Sequence, residues 1–136
     1  MTSVARVVLP IALAVGAVVI LAGCSLPHAC PAIGYINSAT LTVKGQQPVA
    51  LKVCAGNECA TSADTQSSGL LTVARGTAAS WTVQTGSATP RKLEANSLDA
   101  GGSVIAAAAA NLTWKRVGGS AYCGGPMVAH ATLDFG

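Results

Sequence analysis

The side chains most able to do chemistry in this sequence are five thiols and two imidazoles. The thiols belong to Cys24, Cys30, Cys54, Cys59 and Cys123, and the imidazoles to His28 and His130. A cysteine can carry a lipid, bind a metal, attack a substrate or form a disulfide. A metal site at the C-x4-C pair of residues 54 and 59 would need two further ligands nearby, and His28 and His130 are the only histidines. Because the spacings CxxC and HxxxH are both missing, no metal site and no cofactor is predicted.

No recognisable catalytic constellation accompanies these groups. A hydrolase needs a nucleophile, a base and a group that orients the base. His28 falls in a short tether and His130 on the polar face of the last predicted strand, and no serine sits in a G-x-S-x-G elbow. A glycosidase would need a pair of carboxylates. The candidates are Glu58, Asp64, Glu94, Asp99 and Asp134, four of which look like turn or loop residues. We therefore expect a protein that is not an enzyme.

The first 23 residues have the pattern of an export signal. Arg6 and the amino terminus precede 17 residues, Val7–Gly23, that carry no charge and almost no polarity, which is typical of a secretory signal peptide. The segment ends in Leu21-Ala22-Gly23-Cys24, which resembles the lipobox of bacterial lipoproteins. The resemblance implies cleavage between Gly23 and Cys24 and a diacylglyceryl group on the Cys24 sulfur. Two or three acyl chains there would anchor the protein stably at the extracytoplasmic face of the cell membrane.

Two alternatives to a lipid anchor were weighed. A transmembrane span needs about 20 apolar residues, and this segment is shorter, contains Pro10 and Gly16, and has a single arginine on its cytoplasmic side. An ordinary cleaved signal, with Cys24 incidental, is the second alternative. The lipid anchor is favoured because five cysteines are an odd number. With Cys24 lipidated, the other four can pair evenly in an oxidising compartment.

The remainder of the chain has the size of one domain. Residues 24–31 hold the lipidated cysteine and a short tether, and residues 32–136 form the predicted domain. After residue 23, seven Lys and Arg side chains stand against five Asp and Glu. This excess is too small and too scattered to predict a nucleic-acid partner. The pairs Arg91-Lys92 and Lys115-Arg116 look like solvated strand ends, and the oligomeric state is left open.

Alternating apolar residues predict an all-β domain. The clearest run is Met127 to Phe135, where odd-numbered residues are apolar or small and most even-numbered ones are polar. Such alternation indicates antiparallel strands with one buried face. Further runs are predicted at Tyr35–Val43, Val49–Val53, Leu71–Val73, Trp81–Val83 and Leu93–Ala95. About seven strands predict an immunoglobulin-like antiparallel β-sandwich, preceded by an N-terminal signal helix.

Residues 103–117 are the ambiguous part of this pattern. Five consecutive alanines favour a helix, but no apolar stripe follows helical spacing, and residues 111–114 return to strand chemistry. We predict mainly strand, with residues 103–110 open to either structure. Trp81 and Trp114 are assigned to packing rather than to a carbohydrate platform.

The four remaining cysteines allow three disulfide connectivities. A hairpin with a four-residue loop, Ala55-Gly56-Asn57-Glu58, would set Cys54 opposite Cys59 within disulfide reach. Cys30 is then left to pair with Cys123. This bond would close a loop of roughly 90 residues and, by restricting the unfolded chain, stabilise the folded domain by up to about 4.5 kcal/mol.

Several segments together resemble a group of small actinobacterial lipoproteins of no assigned activity. These segments are ACPAIGY after the lipobox, the CxxxxC hairpin, a middle strand with a tryptophan, and LTWKRVGGSAYCGGP near the end. The resemblance covers most of residues 24–136. It implies location and a disulfide-stabilised scaffold, and it implies no active site.

The expected function is therefore a non-enzymatic one. A membrane-anchored β-sandwich that binds a protein or polymer of the cell envelope is favoured, and the sequence does not separate binding from a structural role. Tyr122, beside Cys123 in a glycine-rich loop, is the one residue singled out for binding. An envelope hydrolase with an unrecognised site is the alternative, and it would need His130, a serine and a carboxylate to converge in a pocket.

Overall fold

A computed structural model describes residues 29–63 and 69–136 of the chain. The chain divides into two units, residues 1–30 and residues 31–136, and every strand below belongs to the second. The predicted signal peptide, its cleavage site at Gly23 and Cys24, and the side chains of His28 and Asp64 lie outside the described residues. Along the described ranges, no helix has the length and apolar character that crossing a bilayer requires.

Nine strands form two sheets, which we call sheet A and sheet B. Sheet A has five strands in the order β4-β5-β1-β9-β8, and sheet B has four in the order β3-β2-β6-β7. The strands are β1 (Ser38–Lys44), β2 (Ala50–Ala55), β3 (Glu58–Thr61), β4 (Leu71–Arg75), β5 (Ser80–Thr85), β6 (Lys92–Leu98), β7 (Val104–Asn111), β8 (Lys115–Arg116) and β9 (Met127–Asp134). The all-β sandwich predicted from the sequence is confirmed, with nine strands in place of about seven.

Sheet A departs from a purely antiparallel arrangement at its centre. Strands β1 and β9 run parallel, from Ser38 opposite Val128 to Lys44 opposite Asp134, whereas the other strand pairs are antiparallel. The first and last strands therefore begin at the same end of the sandwich. We call this the near end, and the end where β1 and β9 finish the far end.

The core is made by the inward-facing residues of both sheets. Its largest fully buried apolar side chains are Trp81, Leu41, Leu51, Leu93 and Leu133. Sheet B contributes less volume on the β7 side, where only Ala106, Ala108 and Ala110 face the interior. The alternation that predicted the strands is therefore the alternation that fills the core.

Two residues assigned to buried strand faces lie elsewhere. Tyr35 precedes β1 and is half-buried, and Val49 precedes β2 and is 63% exposed. The interior position beside Val49 is taken by Pro48, which is fully buried. The Arg75 guanidinium donates to the carbonyls of Pro48 and Val49 and lies over the Trp81 ring, so that it fixes this turn of backbone.

The alanine-rich segment is a strand, as predicted, and it forms the edge of sheet B. Strand β7 is hydrogen-bonded on one side to β6, and no other strand among the described residues pairs with it. It carries no charge, and it exposes Val104 and Ile105. Natural edge strands are commonly protected by charges, proline or bulges, and the outer edge of β7 has no charge or proline.

A buried amide at the near end joins three parts of sheet A. Asn37 is 4% exposed, and its Nδ2 donates to the carbonyl of Ala88 while its Oδ1 accepts from the N–H of Met127, at 3.2 and 2.8 Å. Its backbone N–H donates to Gly86, and its carbonyl accepts from Thr85. One residue thus ties the entry of β1 to the β5–β6 connection and to the first residue of β9.

Replacing Asn37 by alanine should lower the free energy of unfolding by about 2–3 kcal/mol, because the N–H of Met127 loses its partner inside the protein. Denaturant unfolding of the purified mature chain measures this change. Asn96→Ala is the matched control, since Asn96 is a half-buried strand residue and the change there should cost within about 0.5 kcal/mol. Equal effects of the two substitutions would contradict the role given to Asn37.

Candidate functional site

The Cys54 and Cys59 thiols form a disulfide across the β2–β3 hairpin. The two residues are direct partners in the register, and their Cα atoms lie 4.0 Å apart. The connection is tighter than the four-residue loop predicted, because Ala55 and Glu58 also pair and leave a two-residue turn. Gly56 takes φ 63° in that turn, a conformation that glycine adopts without steric cost.

Cys30 and Cys123 are each part of a disulfide as well. Cys123 lies in the connection between β8 and β9, where its backbone N–H donates to Ser120 Oγ at 2.9 Å. The bond between Cys30 and Cys123 themselves stays a prediction. Tyr122, the residue singled out for binding, is next to Cys123 and 69% exposed.

The outer face of sheet B contains a depression with two adjoining parts, which we call the sheet-B hollow. One part, about 310 Å³, is lined by Cys54, Glu94, Ala95, Asn96, Ala107, Ala108 and Ala109. The other, about 360 Å³, is lined by Cys54, Gly56, Asn57, Lys92 and Glu94. The two parts meet at Cys54 and Glu94.

The strand register explains why this face is concave. Glu94 lies between Cys54 on β2 and Ala109 on β7, and Asn96 lies between Lys52 and Ala107 in the next outward row. Strand β6 lies between β2 and β7. The methyl groups of β7 and the compact disulfide rise less from the sheet than the side chains of β6 do. Missing side-chain volume on two strands therefore produces the hollow.

The polar groups of the sheet-B hollow are one ion pair and two amides. Lys92 Nζ lies 3.0 Å from Glu94 Oε1, and both side chains are more than half exposed. An exposed pair of this kind contributes at most about 1 kcal/mol to stability. Its effect is mainly to present a cation and an anion side by side, with the amides of Asn57 and Asn96 on either side. Such a set can hydrogen-bond an extended polar ligand.

The groups that an enzyme would need are dispersed. His130 is exposed on the outer face of sheet A, where it pairs in register with Thr40, and it does not line the sheet-B hollow. Three carboxylates accept backbone N–H donors: Glu58 from Leu71, Asp99 from Gly101 and Ser103, and Asp134 from Gly136. In residues 29–63 and 69–136, no three His, Cys, Asp or Glu side chains are grouped so that they could hold a metal ion.

Sequence reasoning found the disulfide at the floor of the sheet-B hollow but not the hollow. Lys92 was assigned to a solvated strand end, and Asn96, Ala107 and Ala109 were given no role in binding, although all four occupy outward positions of their strands. Of the two tryptophans, Trp81 is in the core, and Trp114 packs against the core while its Nε1 donates to the Pro90 carbonyl at 2.8 Å. Both positions agree with packing.

Comparison with known proteins identifies no relative of this chain. No protein-family model matches the chain, and neither the curated proteins nor the solved structures contain a match.

The two predicted disulfides should differ in their contribution to stability. Replacing Cys30 and Cys123 together by serine should cost about 2–5 kcal/mol, because the bond would close a long loop of the unfolded chain, and replacing Cys54 and Cys59 should cost about 2 kcal/mol. Thermal unfolding of the two double variants measures both effects. Peptide mapping without reduction tests the connectivity, and a Cys30–Cys54 or Cys59–Cys123 peptide would contradict it.

Proposed function

We propose that this protein is a membrane-anchored binding module of the bacterial cell envelope, and that it binds its partner in the sheet-B hollow. The observation that carries the proposal is the hollow itself, an open depression with a paired cation and anion and two flanking amides on a rigid sheet. Ligand sites are typically concave and preformed, with a few placed polar groups on rigid elements of the scaffold. The anchor is the lipid proposed on Cys24.

The dimensions of the hollow indicate the form of the ligand. From the level of Lys92 to the level of Asn96 is four residues along β6, about 13 Å at the rise of a β-strand. The depression crosses β2, β6 and β7, and it is open to solvent along its length. An extended segment of a protein or polymer of the envelope, about four peptide residues long, fits this space better than a compact small molecule does.

The lipid anchor has a direct test. Intact mass of the protein extracted from its own membrane should equal residues 24–136 plus acyl chains on the amino-terminal cysteine. A Cys24→Ala variant should lose the acyl mass and should not be cleaved after Gly23. If that variant were processed at the same bond and stayed equally membrane-bound, the lipid anchor would be ruled out.

Filling the sheet-B hollow should abolish partner binding without unfolding the domain. In Ala109→Arg, an exposed edge-strand alanine opposite Glu94 gains a long side chain that occupies the depression. We expect the recovery of the partner from detergent-solubilised native membranes to fall at least about tenfold, equivalent to about 1.4 kcal/mol of binding free energy.

The matched control for this experiment is Ala74→Arg. Ala74 is an exposed alanine on β4, the edge strand of sheet A, and it lines neither part of the hollow. This variant should recover the partner as the native protein does. Equal recovery with all three proteins would place binding elsewhere on the surface.

A further inference from the structure

We propose that the near end of the sandwich is a second interaction surface, and that it docks on the headgroup region of an anionic lipid bilayer. This proposal rests on the lipid anchor proposed above, which would place the domain beside a membrane. It adds that the domain has a fixed orientation on the bilayer, which an anchor alone would not impose.

Three exposed apolar side chains, those of Leu70, Ile36 and Val117, lie in a row of five neighbouring positions across the near end of sheet A. The registers of β4, β5, β1 and β9, continued past the strand ends, set Leu70 beside Gly86, Gly86 beside Ile36, and Ile36 beside Pro126. The N–H of Val117 donates to the Pro126 carbonyl and completes the row. At the spacing of neighbouring strands, the row is about 19 Å wide.

These side chains face solvent because of the strand pleat. Asn37 and Leu71 point into the sandwich, so Ile36 and Leu70 point away from it. Leu70 is 68% exposed, Ile36 62% and Val117 56%. Ile33, in the segment before β1, and Tyr122, in the connection between β8 and β9, are exposed to a similar degree. Contiguous exposed apolar groups of this kind mark interaction surfaces.

The same end of the domain is basic. Two hydrogen bonds join the β5–β6 connection to the segment before β8: the Leu112 N–H donates to Arg91, and Trp114 Nε1 donates to Pro90. They bring Arg91 close to Lys115 and Arg116, all three exposed. Of the described carboxylates, Asp99 and Asp134 lie at the far end, in the turn after β6 and at the end of β9. Glu58 and Glu94 lie at the near end, where Glu94 is paired with Lys92 and the exposed cations of residues 91, 115 and 116 leave a net positive charge. Cationic side chains beside exposed apolar and aromatic groups are the composition that binds anionic membrane surfaces.

The length of the chain before the domain argues for a bilayer as the occupant. Eight residues separate Cys24 from Ile33, and the nine steps from one Cα to the next span about 30 Å in a fully extended chain. Strand β1 starts at the near end and runs away from it. A lipid on Cys24 would therefore keep the near end within reach of the headgroups, where its apolar row can be buried.

The orientation can be measured with two tryptophan variants in one strand. Ile36→Trp and Thr42→Trp place an indole on the same outer face of sheet A, at the near end and about 20 Å farther along β1. The acylated mature proteins, verified by intact mass, are reconstituted into phosphatidylcholine–phosphatidylglycerol vesicles with brominated acyl chains. The native protein supplies the background emission of Trp81 and Trp114.

We expect bromolipid to quench the indole at position 36 and to leave the indole at position 42 unquenched. Equal quenching at the two positions, or quenching at neither, would overturn the docking proposal while leaving the lipid anchor intact. If intact mass showed no acyl chains on the mature protein, the lipid anchor would be contradicted. Partitioning of the unlipidated chain onto anionic vesicles would then still test the near-end surface.

The basic contribution is tested on the mature chain with Cys24→Ser, which has no lipid. Lys115→Ala with Arg116→Ala should lower partitioning onto anionic vesicles about 25-fold, because each cation near such a surface accounts for about fivefold. Lys44→Ala with Lys52→Ala changes the net charge equally at positions away from the near end, and it should have a much smaller effect. Equal losses in the two double variants would contradict a local basic surface and indicate attraction through net charge alone.

Discussion

The arrangement of the near end depends on the buried side chain of Asn37. An amide out of contact with water must have its donor and acceptor satisfied inside the protein, and here the partners belong to the β5–β6 connection and to the start of β9. The Met127 N–H bond to the amide oxygen adds to the seven register pairs that hold β1 and β9 in parallel, because Met127 lies beside Asn37 when the two strands begin at the same end. The parallel pair in turn brings the chain entry, the β8–β9 connection and the basic residues to one end.

The sequence could predict the strands and not their partners. Alternation identified the inward faces of β1, β5 and β9, because each residue's side of the sheet is a local property. It did not identify the parallel β1–β9 pair, which joins segments about 90 residues apart through a seven-residue ladder and the buried amide of Asn37. Asn37 itself lies at an inward position of the alternation that includes Ala39 and Leu41, so a polar residue on the apolar face was the available signal.

The two surfaces escaped sequence reasoning for different physical reasons. The sheet-B hollow is a deficit of volume, shared between alanines on β7 and a disulfide on β2 and β3, and no single segment displays it. The near end combines charges that are scattered in sequence, and only the bonds of Leu112 and Trp114 to the β5–β6 connection bring Arg91 to Lys115. These basic residues are exposed at strand ends, as the sequence indicated. The sequence gave no information about the distance between Arg91 and the Lys115-Arg116 pair.

The uncharged edge of β7 has a consequence for how copies of the domain can meet. Two such edges would most readily pair antiparallel, because a twofold axis then brings complementary donors and acceptors together. That axis would have to be perpendicular to the strands, so one copy would stand inverted relative to the other. Domains that all rest on a bilayer by the near end have their β7 strands pointing the same way. Because β7 would point the same way in every membrane-bound copy, two β7 edges could not pair antiparallel there. In copies that are free in solution, no charge or proline on β7 would prevent this pairing.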